Sequence, residues 1–130
     1  MSGTLLQASE ADSGMNAVAF RAVLAMAEAL GLSWEERCAL LGIPRSTYHR
    51  WVTQGVRQLD RDKRDRIAYL LAIYHYAGTA FPGGGGAKGW LLRPNSHPVF
   101  AGARPLDRLL CGGMEDLLAV HGVARAAEAI

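Results

Sequence analysis

Arg45, Ser46, His49 and Arg50 stand at i, i+1, i+4 and i+5, a spacing that brings all four to one side of an α-helix. Their chemistry is that of hydrogen-bond donors. A guanidinium can bridge O6 and N7 of guanine or grip a phosphate, and a serine or histidine can donate to either. Contact with a DNA major groove needs such short, polar and basic side chains near the start of a helix, so these four are the candidate DNA-reading residues. Other chemistry is not assembled. His49, His75, His97 and His121 occur singly, without Cys, Asp or Glu at ligand spacing, and Cys38 and Cys111 lie in apolar helical patterns that read as reduced core thiols. There is no Gly-x-Ser-x-Gly turn and no carboxylate pair in an apolar stretch. The glycine-rich run Phe81 to Gly89 contains Lys88, but a phosphate loop needs Gly before its Lys and Ser or Thr after it, whereas Ala87 and Gly89 stand there. The chain is therefore expected not to be an enzyme and to need no metal or other cofactor.

Residues 33 to 52 must position the four donors. Ser33 followed by Glu36 forms a capping box that opens one helix, Gly42 supplies the positive φ that ends it near Leu41, and Pro44 presets the first turn of the next. Cys38, four residues before Gly42, is small enough for the two helices to approach closely, and Ile43 plugs the core between them. Tyr48, Trp51 and Val52 are expected to face inward, opposite the donors. This is the layout of a helix-turn-helix, whose second helix enters the groove.

Charge is distributed to match. The chain carries +2 overall, yet residues 1–44 hold Arg21 and Arg37 against Glu10, Asp12, Glu28, Glu35 and Glu36, a local −3. Residues 45–66 hold Arg45, Arg50, Arg57, Arg61, Lys63, Arg64 and Arg66 against Asp60, Asp62 and Asp65, a local +4. Beyond Arg57 two readings stand side by side: phosphate contact, or a solvated helix face laced with pairs such as Asp60–Arg64 and Asp62–Arg66.

The outline around this corner is all-α. Of 130 residues half are apolar, enough for one core or two intimately packed subdomains. Residues 1–15 read as a flexible N-terminus, Ala17 to Leu30 as a helix ending at Gly31, and Asp60 as the N-cap of a helix reaching about Ala77 and closed by Gly78. The helix-turn-helix unit is thus placed at 16–78, a flexible glycine-rich hinge at 79–89 and a second helical unit at 90–130. No apolar run approaches a membrane span and no signal-peptide pattern opens the chain, so a cytoplasmic protein without membrane association is expected.

The stretch from Ser33 to Val52 resembles the Cro/Xre class of helix-turn-helix domains. The second unit carries a more specific likeness. Trp90-Leu91-Leu92-Arg93-Pro94-Asn95, then Phe100-Ala101-Gly102-Ala103-Arg104-Pro105-Leu106, a short helix, Gly112-Gly113 and a last apolar helix resemble the toxin-binding domain of the Xre/MbcA/ParS antitoxins. The glycine tetrad Gly83 to Gly86 departs from that family's more helical, charged approach to the tryptophan.

The resemblance implies an antitoxin of a type II toxin–antitoxin system that neutralises a RES-type toxin, one that consumes NAD, or a related ADP-ribosylating toxin, by covering its active site. It further implies a homodimer within a larger toxin–antitoxin complex and autoregulation by binding operator DNA. Candidate toxin contacts in the second unit are Trp90, Arg93, Asn95, Arg104, Leu110, Met114, Leu117 and Ile130. Trp90 reads more readily as a buried anchor than as a contact. The residues by themselves leave open a stand-alone helix-turn-helix regulator, and a protein-interaction subunit with a degenerate motif.

Overall fold

A computed structural model describes residues 2–129, with side chains from Ser13 onward, as seven α-helices with no strand among the described residues. The helices are α1 (Ser2–Ala29), α2 (Trp34–Leu41), α3 (Arg45–Gln54), α4 (Arg61–Ala80), α5 (Gly86–Leu92), α6 (Pro105–Leu110) and α7 (Met114–Ala129). None among the described residues is long and apolar enough to cross a membrane.

The corner between α2 and α3 is built by local chemistry. Ser33 Oγ accepts from the Glu36 amide at 3.1 Å and Glu36 Oε1 accepts from the Ser33 amide at 2.9 Å, which satisfies two of the amides a helix start leaves unpaired. At the other end Gly42 adopts φ 65°, and the amides of Gly42 and Ile43 turn back onto the carbonyls of Ala39 and Cys38. Ile43 is buried at the turn as the plug its position demands. Ser33→Ala should lower stability by about 1 kcal/mol in a denaturant titration, the usual effect of losing a side-chain N-cap.

α4 is the central strut and packs against α1, α2, α5 and, most extensively, α7. Asp60 caps it by accepting from the Lys63 amide at 2.9 Å. Its inner face carries Ile67, Leu70, Ile73 and Ala77, which join Leu91, Leu106, Leu117 and Val120 from the later helices in one contiguous apolar cluster with the α1–α3 core. Arg66 ties the two ends of this cluster together. Its Nη1 donates to the Gly112 carbonyl at 2.7 Å, its Nε to Asp62 at 2.9 Å, and its guanidinium lies so close to Gly42 that a Cβ there would sit 2.9 Å away. Lys63 first and Arg66 second hold the Asp62 carboxyl below the usual carboxylate range, against an opposing push from burial.

Several expectations need correction. α1 is helical from Ser2, so the span read as a flexible N-terminus over residues 1–15 lies, beyond Met1, within a helix; Ser13 Oγ and Asn16 Nδ2 donate to the Arg57 carbonyl and fasten that stretch to the loop after α3. Gly78 does not close α4, which continues to Ala80. It stands where α5 crosses, and an added Cβ would lie 3.9 Å from that of Ala87. The span read as a flexible hinge over residues 79–89 is a packed corner: a 3-10 turn at Pro82–Gly84 leads directly into α5, Ala87 is buried, and Arg93 Nη1 donates to the Gly84 carbonyl at 2.7 Å. Pro44 is the N-cap of α3 and lies just outside its first turn. Cys111 is exposed at the end of α6, while Cys38 is buried as expected.

Candidate functional site

α3 is oriented by what its far side buries. Trp51 is packed edge-on against Phe20 of α1 at 5.4 Å between ring centroids, and Tyr48 is half-buried, accepting from Arg37 Nη1 at 3.3 Å. These two anchors turn Arg45, Ser46, His49 and Arg50 outward, and all four are exposed on one side of the helix. Val52 corrects the expected pattern. It is 50% exposed, because one step past Trp51 the helix face has already rotated off the core.

The donors of this face are unspent. Among the described residues, the side chains of Arg45 and Arg50 make no ion pair and donate no hydrogen bond, and the same is true of Arg57 just beyond the helix. Arg50 and Arg57 line a polar cleft of about 270 Å³ with Gln54, Gln58, Trp51 and Gly55. From Arg61 onward the cations are engaged: Arg61 with Asp65 at 3.9 Å, Lys63 and Arg66 with Asp62 at 2.9 Å, and Arg64 with the Leu59 carbonyl at 3.2 Å. Of the two pairs that the spacing suggested, Asp62–Arg66 forms, whereas among the described residues Asp60–Arg64 does not, Arg64 donating to the Leu59 carbonyl instead.

Two features of this face escaped the sequence. Gln54 and Gln58 follow Arg50 at intervals of four, a polar periodicity that runs past the helix end. Trp34 opens α2 and is 40% exposed, and its ring lies 4.6 Å beneath the Arg45 guanidinium carbon. The available signal was a large aromatic beside Glu35, Glu36 and Arg37 in the otherwise charged first turn of α2.

The second candidate surface divides. Trp90 is 5% exposed, stacked on Phe81 at 6.2 Å and met edge-on by Phe100 at 5.7 Å, so it is a core residue and is corrected from the partner contacts. Leu117 is 1% exposed on the inner face of α7 and is corrected likewise. Asn95 is half-buried and closes the loop over residues 95–103: its amide donates to Ala103 O and its carbonyl accepts from Gly102, both at 3.0 Å, while its side chain accepts from the His97 amide at 2.9 Å. Arg104 is half-buried and clamped on Asp107 at 2.6 Å, and this hydrogen bond holds the Asp107 carboxyl below its ordinary range. Arg93 is exposed, and Leu110 and Met114 are half-buried at the rim of the core. Ile130 lies outside the described residues.

A helix-turn-helix with its reading face free and a helical second half packed behind it is thus in place. Residues 11–72 match the family described as the antitoxin Xre-like helix-turn-helix domain. The uncharacterized protein y4oB of Sinorhizobium fredii is 32% identical over 111 residues, which cover 85% of this chain and 84% of that protein. This chain belongs to one family with y4oB, and its residues 11–72 are similar to the Xre-like helix-turn-helix domain. The Xre-like domain takes in α2, α3 and most of α1 and α4, so the free donors of α3 fall inside it. Its last matched residue, Ala72, lies within α4, the helix that also packs against α5 and α7.

Proposed function

We propose that this protein is the antitoxin of a type II toxin–antitoxin system. It binds a RES-type NAD-consuming toxin, or a related ADP-ribosylating one, through the outer surface of its second half, covering the toxin's NAD cleft in the cytoplasm. As a homodimer it also represses its own operon, reading operator half-sites with Arg45, Ser46, His49 and Arg50. NAD is the toxin's ligand, and this chain performs no catalysis of its own.

One observation carries the reading: the segment matched to an antitoxin family has a recognition helix whose arginines are exposed, with N–H donors that make no hydrogen bond or ion pair among the described residues. A surface whose donors are already satisfied would have to break those bonds before it could grip DNA, as the paired cations of α4 would. The toxin side rests on the resemblance of residues 90–118. The surface left for it after the core is subtracted includes Arg93, Leu110 and Met114.

The deciding experiment is co-expression of the full chain with the product of the adjacent open reading frame. Relief of growth arrest, co-elution of the two proteins and recovery of cellular NAD support the proposal, and Arg93→Glu with Met114→Glu should weaken co-elution; because Arg93 also holds the Gly84 carbonyl and Met114 packs at the rim of the core, the double variant is compared at a temperature where its cooperative melt shows it folded. A chain that neither binds that neighbour nor restores growth reduces the reading to a stand-alone regulator. For the DNA side, Arg50→Ala should weaken the operator complex by about 1–3 kcal/mol if it reads a base. If it holds a phosphate, the slope of log affinity against log salt should instead flatten by about 0.9. Fluorescence anisotropy over a salt series distinguishes the two.

A further inference from the structure

We propose that Trp34 is a positioning residue for DNA reading: its ring carries the Arg45 guanidinium by the face and leaves the guanidinium edge free to bridge O6 and N7 of a guanine. The inference rests on the DNA-binding part of the proposed function and adds to it a residue outside the recognition helix.

The argument begins with where Arg45 stands. It is the first residue of α3, whose N-terminal end carries the positive pole of the helix dipole, and no acidic residue occupies that first turn. A cation there is disfavoured by its own helix and needs an external partner to stay near the surface in one place. The other well-held arginines find theirs along the guanidinium edge: Arg37 on Glu28, Arg66 on Asp62 and Gly112, Arg104 on Asp107, Arg108 on Asp116 and Val99. Each of those contacts consumes N–H donors.

Trp34 does not. The Arg45 guanidinium carbon lies 4.6 Å from the centroid of the Trp34 ring, a cation–π contact, and among the described residues the Arg45 side chain makes no hydrogen bond or ion pair. A π face attracts charge without accepting the in-plane hydrogens, so the fork that matches guanine remains whole. It also limits the rotamers that Arg45 must surrender on binding. The exposure of Trp34 at the start of α2, otherwise unexplained for so large an apolar side chain, follows from this task.

The test uses the full chain and a duplex selected by the wild-type protein from a randomised library. Trp34→Ala should weaken binding ~5-fold, the scale of an exposed cation–π contact, whereas Trp34→Phe should stay within about 2-fold of wild type. In an Arg45→Ala background Trp34→Ala should add almost nothing, since the two act as one unit. Replacing guanines one at a time by 7-deazaguanine, which lacks the N7 acceptor, should reveal one position whose penalty disappears in Trp34→Ala; a role confined to folding would not move that single penalty. Trp51 and Trp90 are buried, so quenching by acrylamide reports chiefly on Trp34, and DNA should protect it. Equal affinity of Trp34→Ala and wild type, or an equal loss with and without Arg45, overturns the inference alone. Failure of the wild-type chain to select any sequence overturns the DNA reading and this inference with it.

Discussion

A chain ending at Gly89 should not fold as an independent helix-turn-helix unit: its thermal transition should be broad or missing, and it should bind a hydrophobic dye at temperatures where the full chain does not. The reason lies in α4. This helix presents Leu70, Ile73 and Ala77 to a cluster whose other side is supplied by Leu91, Leu106, Leu109, Leu117 and Val120, all buried. Each fully buried Leu or Val contributes about 1.5–3 kcal/mol, so those five match the ~5–15 kcal/mol by which a whole domain is stable. Truncation leaves the entropy of ordering α4 still to be met while removing the surface that offsets it. It also strips the Gly112 carbonyl from Arg66, whose guanidinium braces the α2–α3 turn at Gly42. A sharp melt near that of the full chain would show that α1–α4 suffice. Functionally, the two halves cannot be assayed by cutting the chain between them, so surface substitutions are the way to separate their roles.

That shared core marks the boundary of what the sequence made legible. The α2–α3 corner was readable because its determinants are local: Ser33 and Glu36 reach each other across three residues, and Gly42 needs only its own φ. The outward set on α3 was readable for the same reason, since four polar residues at helical spacing admit one face. Val52 was misplaced because a helix turns 100° per residue and the edge of the buried arc depends on where Phe20 meets Trp51, a contact across thirty-one positions. Trp90 and Leu117 illustrate the larger difficulty. Apolar periodicity marks which side of a helix avoids water and is silent on whether this chain or another protein covers it. For Trp90 the sequence already favoured a buried anchor, whereas for Leu117 only the packing of α7 on α4 decides; Phe81 and Phe100 are what cover Trp90. The pairing of Arg45 with Trp34 is of the same kind, a contact between helices with no footprint in spacing.

Gly89→Ala should destabilise the protein by about 3 kcal/mol, the upper part of the usual range for overpacking, even though alanine is the better helix former by about 1 kcal/mol. Composition alone made Gly83 to Gly86 look like slack. The structure uses the glycines for contact instead: Gly85 turns with φ 88°, its own Cβ position lies 3.3 Å from the Gly89 Cα, and a Cβ on Gly89 would collide with the Gly84 carbonyl oxygen. That oxygen is held by Arg93 Nη1, and Gly89 itself donates to Gly85 O at 3.1 Å, so the obstacle is tethered backbone rather than a flexible side chain. Relief would require α5 to shift and carry Trp90 out of its place between Phe81 and Phe100. Gly122 provides the control. It is exposed in the middle of α7 with nothing within 4 Å of an added Cβ, and Gly122→Ala should raise stability by about 0.5–1 kcal/mol on propensity alone. Opposite signs for the two substitutions in the same denaturant titration would establish close packing at the glycine corner; a stabilising Gly89→Ala would mean that the segment is the loose hinge its composition suggests.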